Sequence, residues 1–300
     1  MRLRIAVALA IVYVVWGSTY LGIAVGIRTL PPFTMLAARF LLAGALLYAW
    51  ARFRGAAAPT LQHWGAATLT GGGLFLLGTG GVAWAEQHVH SGVVALVVAV
   101  VPLWLAVLDR QRLSPIAVLG LGIGFGGVAL LVGPSAGFGW QAIVVVFTSL
   151  GWAAASLYSR SAPPSESAFL GAAMQMLTGG ALLAVAGAVS GEFGRVHSPS
   201  AASVGAILYL VFVGSIVAFT AYLWLLRNTR TSVVGTYAFV NPVVAVLLGW
   251  LFNDEPLTLR TLLAGLVIVG GVALIVLAPS RRYPQRHEDF QPALGEAPVR

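Results

Sequence analysis

Glu86 stands in the stretch AWAEQHVHSG, between two long apolar runs, with His88 two residues further on. A carboxylate in such surroundings can carry a proton or meet the ammonium group of a solute at a gate. His88 adds a second side chain able to carry a proton or serve at a gate. Position alone favours a plainer role for Glu86, a hydrated carboxylate in the headgroup layer where the third apolar run ends. The remaining candidates are aromatic and small polar residues deep in apolar runs. Thr148, Trp152 and Ser156 recur at i, i+4 and i+8, and Ser215, Phe219 and Tyr222 also share one helical face. Tyr237 and Asn241 precede Pro242; Trp16, Ser18 and Tyr20 cluster in the first run; Thr79 and Trp104 complete the set. Pro242 and its counterpart Pro102 each remove an amide donor and free a carbonyl one turn back. At membrane depth that carbonyl must find a partner or line a watery cavity, so both prolines are expected helix breaks.

A cavity with such a lining suits amphipathic solutes. Rings stack on rings, at about 0.5–1.5 kcal/mol per pair beyond area burial, and ring faces attract cations. Each candidate also has a structural alternative. Ser and Thr in membrane helices bond their own backbone or a neighbouring helix, and Trp and Tyr collect at membrane interfaces, as the positions of Trp50, Trp64, Trp140 and Trp250 suggest. Only Arg39 among the basic residues falls inside an apolar run, near enough to its end to snorkel outward. A phosphorylated solute would need paired cations, so the reading disfavours one. No nucleophile motif such as GxSxG, no cysteine and no acid/histidine cluster suited to a metal is present, which argues against an enzyme and against a cofactor.

These residues need a membrane scaffold to position them. Of 300 residues, 59% are hydrophobic and 9% charged, whereas soluble domains carry about a quarter charged residues. Ten apolar runs are long enough for spanning helices: roughly 4–27, 33–52, 62–86, 91–108, 114–133, 139–158, 166–190, 203–226, 232–252 and 258–278. They are continuous, without the alternation of a β-barrel strand. The first run exceeds the apolar core of a signal peptide and reads as a retained helix. All 17 basic residues are arginine. With both termini in the cytoplasm, 13 arginines fall on that side, three (Arg28, Arg195, Arg260) fall outside and Arg39 lies within a span. This bias follows the positive-inside rule. The polar tail 281–300 reads as disordered.

The chain also repeats itself. Trp16 precedes Gly44 by 28 residues, and Trp152 precedes Gly180 by the same 28. Trp84 precedes Pro102 by 18 residues, as Trp224 precedes Pro242, and GGVALLV at 126 answers GGVALIV at 270. The repeat unit holds five spans, residues 1–137 and then 138–280. Five is odd, so the second copy enters the membrane from the other side. That construction belongs to many secondary transporters, with the solute site near the midplane between the copies. Glycines 120, 122, 124, 126 and 127 in the fifth run permit close helix packing.

The stretches VVWGSTYLGI, PPFTMLAARFLLAGALL, AEQHVHSGVVALVVAVVPLWLAVL and YAFVNPVVAVLLGWLFNDEPLT resemble the EamA-type branch of the drug/metabolite transporter superfamily, over residues 5 to 280. The resemblance implies an all-α integral membrane fold, with ten helices in two inverted five-helix repeats and a solute pathway between them. Within the branch the chain is similar to bacterial exporters of amino acids, including aromatic ones. The implied setting is the bacterial inner membrane, with a small-molecule solute and lipid as partners, no nucleic acid, and a monomer or homodimer as the assembly. A sugar importer and an organic-cation exporter are the competing functions on this fold. The first copy departs from the second in one respect: it lacks the acidic-Pro turn found at 254–256.

Overall fold

The computed structural model describes residues 2–108, 114–132, 139–163, 165, 167–196, 198–228, 234 and 237–277. The tail 281–300 lies outside them. The described residues form helices, without a strand among them. In chain order these are α1 (Arg2–Gly26), α2 (Pro32–Phe53), α3 (Leu61–Ala85), α4 (Ser91–Val98 and Val101–Leu108), α5 (Pro115–Val132), α6 (Gly139–Ser161), α7 (Ala168–Val189), α8 (Ala201–Tyr209, Leu210–Val217 and Ala218–Asn228), α9 (Tyr237–Phe252) and α10 (Leu259–Leu277). Six are long and apolar enough to cross a bilayer alone, and the apolar parts of the other four are shorter.

Local chemistry explains the ends. Thr60 and His63 form a reciprocal capping box at the start of α3. Ser167 and Ser200 cap α7 and α8 through Leu170 N–H and Ser203 N–H, each at 3.1 Å. Gly191, at φ +71°, turns the chain out of α7 as a left-handed residue should. The two prolines behave differently. Pro102 opens the second piece of α4, after a break at Ala99–Val100. Pro242, also expected to break its helix, lies inside α9 instead. There α1 presses close, because Gly17 has no side chain to hold it off Val244 and the Asn241 carbonyl. That packing carries the helix across the proline.

Two irregular stretches stand out. Gly72–Thr79 in α3 and Leu210–Val217 in α8 are wound as π-helix, eight residues each. The second set of numbers is the first plus 138. Both stretches pack on the same partners once the halves are exchanged: the α3 segment on α6 and α7, the α8 segment on α1 and α2. The other contacts exchange likewise. α1 meets α9 as α6 meets α4, while α2–α7, α5–α10 and α4–α9 map onto themselves. Matched glycines allow the closest of these. A methyl on Gly44 would lie 2.9 Å from Leu177 N, and one on Gly180 would lie 2.9 Å from Leu41 N.

Hydrogen bonds gather residues 28–34, 91–92, 192, 200–203 and 253–255 at one end of the bundle. Because it holds Glu192 and Glu255, it is called the carboxylate end below. The opposite end is tied by rings: Trp50 meets Phe169 at 5.2 Å and Tyr48 meets Trp64 at 5.9 Å.

Candidate translocation site

Four rings from three helices meet where α1, α8 and α9 pack. Trp16 lies 5.0 Å from Tyr222 and 5.1 Å from Tyr237, edge-on to the latter. Tyr222 and Tyr237 are 6.1 Å apart, and Phe219 lies 6.1 Å from Tyr222. Ala8, Val12, Ala221, Leu225 and Val234 back the group. One turn along α1 from Trp16 is Tyr20, within electrostatic reach of both Tyr237 and Glu86. One turn along α9 from Tyr237 is Asn241, buried, with its Oδ1 enclosed and without a hydrogen-bond partner. Helical spacing therefore aligns Trp16 with Tyr20, and Tyr237 with Asn241, on facing sides of two helices.

Glu86 closes this column toward the carboxylate end. Its backbone N–H continues α3 by donating to the Val82 carbonyl at 2.9 Å. It shares the α3 face of Val82 and Ala83, both buried, so its side chain turns inward. Both carboxylate oxygens are enclosed and lack a partner. The hydrated headgroup role that position alone favours is thus corrected: the i−3 and i−4 neighbours set the direction, not the distance from the helix end. His88 is exposed and rests on Trp84, with ring centroids 5.6 Å apart. Glu86 Oε1 and Oε2 and Asn241 Oδ1 are the enclosed side-chain atoms without partners among the described residues. An ionised carboxylate so placed is costly to bury, and such an orphan calls for a proton or a cationic group to complete it.

The other sequence candidates have hydrogen bonds or packing contacts of their own. Ser18 Oγ bonds the Tyr209 hydroxyl at 2.5 Å and donates to the Val15 carbonyl at 2.8 Å. Thr79 Oγ1 donates to Leu74 O at 3.2 Å within the π segment, and Ser156 Oγ to Trp152 O at 2.7 Å. Trp104 Nε1 donates to Val146 O and Ser149 Oγ, each at 3.0 Å, and its ring stands edge-on to Phe125. Trp152 is half-buried and lies over Gly78. Among the described residues no three His, Asp or Glu side chains converge as a metal site would need.

Arg39 requires a correction. Instead of snorkelling outward it is 6% exposed, because α2 lies between α7 and the π segment of α8. Its Nε donates to Ser215 Oγ at 3.2 Å, and its guanidinium carbon stands 4.7 Å from the Phe40 ring centroid. Arg39 is the one buried cation among the described residues, still not the pair that a phosphorylated solute would need.

The carboxylate end holds residues whose role the sequence did not disclose. Asp254, at φ +52°, folds the chain back so that Glu255 reaches the start of α4. There Glu255 accepts from Ser91 N at 2.9 Å, Ser91 Oγ at 2.6 Å, Gly92 N at 2.9 Å and Asn253 Nδ2 at 2.9 Å. Glu192 accepts from Phe33 N at 3.3 Å, Thr34 N at 2.8 Å and Thr34 Oγ1 at 3.0 Å. Both acids thereby satisfy orphan amides at the positive ends of helices. Arg28 donates to Asn253 Oδ1 at 2.5 Å, and Thr29 to Ser203 Oγ at 2.7 Å. Arg28, Thr29, Gln87, Arg195 and Ser198 line a groove of about 430 Å³ at this end. The acidic-Pro turn at 254–256 was the available signal for this arrangement; its partner Ser91 lies 164 residues away.

Apolar helices of crossing length around a buried polar column define a multi-pass, all-α membrane protein. The sequence profile of the EamA-like transporter family matches residues 3–133 and again 139–277, and the chain belongs to that family. It is 39% identical over 277 residues to the uncharacterized inner membrane transporter YedA of Escherichia coli (strain K12), covering 90% of each chain. It is 25% identical over 286 residues to the uncharacterized transporter YvbV of Bacillus subtilis (strain 168), covering 91% of this chain and 92% of that one. A solved crystal structure at 22% identity superposes with a TM-score of 0.63, over 91% of this chain and 96% of the other, and shares the fold. The protein is a membrane transporter of the EamA family.

Proposed function

We propose that this transporter is a secondary carrier of the bacterial inner membrane that exports small amphipathic metabolites, aromatic or other amino acids, by alternating access between two inverted five-helix repeats, residues 1–137 and 138–280. The observation that carries the reading is the pair of π segments at equivalent positions, each packed against helices of the other half. Such segments are rare and concentrate at functional irregularities. Irregular helices at the interface of two repeats form the solute sites of many carriers. The two successive profile matches support the duplication. The arginine bias supports cytoplasmic termini, which puts the carboxylate end outside.

In this reading the rings of Trp16, Phe219, Tyr222 and Tyr237 receive the solute's apolar part. Asn241 Oδ1 accepts from a donor on it. Glu86 takes its ammonium group or a coupling proton at the outer gate, with Tyr20 between the two. Trp152, Thr79 and Ser156 line the route, and Ser18 and Trp104 also tie the helices that frame it through Tyr209 and Ser149. An organic-cation exporter is the second reading, favoured by the unpartnered carboxylate of Glu86.

Proteoliposomes loaded with labelled phenylalanine, threonine or rhamnose separate the classes. The expected result is flux of the amino acids. Flux of rhamnose alone rejects amino-acid export.

A further inference from the structure

The guanidinium of Arg39 has a fixed positive charge and is 6% exposed. Four acids fall among the described residues, and none neutralises it. Glu192 and Glu255 are committed to the starts of α2 and α4. Asp254 is exposed, and the Glu86 carboxylate has no hydrogen-bond partner, Arg39 included. The contacts described for Arg39 are neutral: Ser215 Oγ, the Phe40 ring and, within electrostatic reach, Tyr209. A buried cation without a counter-ion is expensive unless an anion completes it.

We propose that Arg39, with Ser215, is the anchor for a carboxylate on the transported solute. A planar guanidinium engages a carboxylate through two parallel donors, and Nε alone is occupied by the serine. Ser215 is followed one turn along α8 by Phe219, then by Tyr222. One turn spans roughly 5–6 Å, comparable to the reach of an aromatic amino acid from carboxylate to ring. A carboxylate at Arg39 therefore sets the ring of such a solute beside Phe219, at the edge of the four-ring group. The repeat offset of 136 that matches Trp16 to Trp152 matches Arg39 to Gln175, a neutral amide. The anchor is one-sided, as a solute with a single carboxylate requires. A purely cationic solute would be repelled there, which separates the two readings given above. The assignment rests on the aromatic group being part of the pathway.

The test measures competition for solute counterflow by the full-length carrier in proteoliposomes, using phenylalanine, 3-phenylpropionate and phenethylamine, with leucine and isopentylamine as an aliphatic pair. The expected result is that compounds bearing a carboxylate compete at least about tenfold better than the matching amines. Arg39→Gln should remove that preference, and Ser215→Ala should weaken it less. Where Arg39→Gln does not yield folded protein, Arg39→Lys keeps the charge without the fork. It should weaken the carboxylates several-fold and leave the amines unchanged. Arg39→Gln or Arg39→Lys retaining the full wild-type preference overturns the anchor. Competition by 3-phenylpropionate as strong as by phenylalanine keeps the anchor and rejects a requirement for an amino acid. Competition by the amines alone overturns the anchor and leaves an organic-cation carrier. Competition by none of the five overturns the anchor together with amino-acid export.

Discussion

Glu255 and Glu86 lie close enough to sense each other's charge, yet their surroundings differ in kind. Glu255 fills its acceptor capacity with four donors from α4 and its own turn. Glu86, one loop away from the same helix start, has an enclosed carboxylate and no donor. Hydrogen bonds to a charged group contribute about 1.5–3 kcal/mol, and an enclosed polar group without a partner costs about 1–3 kcal/mol. By this measure the first acid stabilises the resting fold and the second weakens it. An interaction completed only by a solute or a proton is one that can differ between the two states of a carrier, as any coupling requires.

The largest effect is expected at Glu255. Glu255→Gln keeps the volume but turns an amide toward the N–H groups of Ser91 and Gly92. We expect a loss of about 3 kcal/mol of stability, read as a lower Tm of the detergent-purified protein, with flux falling in parallel. An unchanged Tm would mean that the start of α4 is held by other contacts, and the comparison would lose its structural arm.

Glu86→Met should do the opposite. Removing an unpartnered carboxyl from an enclosed site should leave stability unchanged or raise it by about 1–2 kcal/mol. Proton-driven or solute-driven flux should vanish, the trade-off typical of functional sites. Fully retained flux with a raised Tm would make Glu86 a dispensable defect.

Glu192→Gln comes third. This acid has three donors, all from the start of α2, and α2 also rests broadly on α7. A cost of about 1–2 kcal/mol in Tm-derived stability is expected, with solute selectivity intact. A larger loss than at Glu255 would invert the ranking and make α2 the more weakly held element.

How much of this could be read from the chain follows from the range of each interaction. The spans were legible because crossing a bilayer needs about 20 apolar residues in one run, a local property. The alignment of Trp16 with Tyr20 and of Tyr237 with Asn241 was legible from helical spacing. Glu86 was conspicuous, but its burial turns on which way one α3 side chain points, and a position count along the helix misses that. Arg39 misled because its fate depends on Ser215, 176 residues away. Glu255 reaches Ser91 across 164 residues. Neither separation leaves a periodic signal. The π segments are likewise silent: GGLFLLGT and LVFVGSIV share no residue pattern that would mark them. Their match in position emerges only when the backbone is traced.

The smallest effect is expected at His88, and it tests the comparison from the other side. Sequence proximity makes His88 and Glu86 joint candidates for gating or proton coupling. The structure turns the two apart: the imidazole lies exposed against Trp84 while the carboxylate points inward. A surface ring contact of this kind is worth little, so His88→Ala should shift stability by less than about 0.5 kcal/mol. It should also leave flux within about twofold of wild type at every pH, because a hydrated group that does not bond the carrier acid sets no barrier to its exchange. Parallel flux measurements between pH 5.5 and 8 on wild type, His88→Ala and Glu86→Met would separate the two residues. If His88→Ala instead lost flux as completely as Glu86→Met while keeping its Tm, protons would reach the carboxylate through the imidazole. The isolation of Glu86 would then belong to one state of the carrier, with a state in which the two side chains meet on the other side of the cycle.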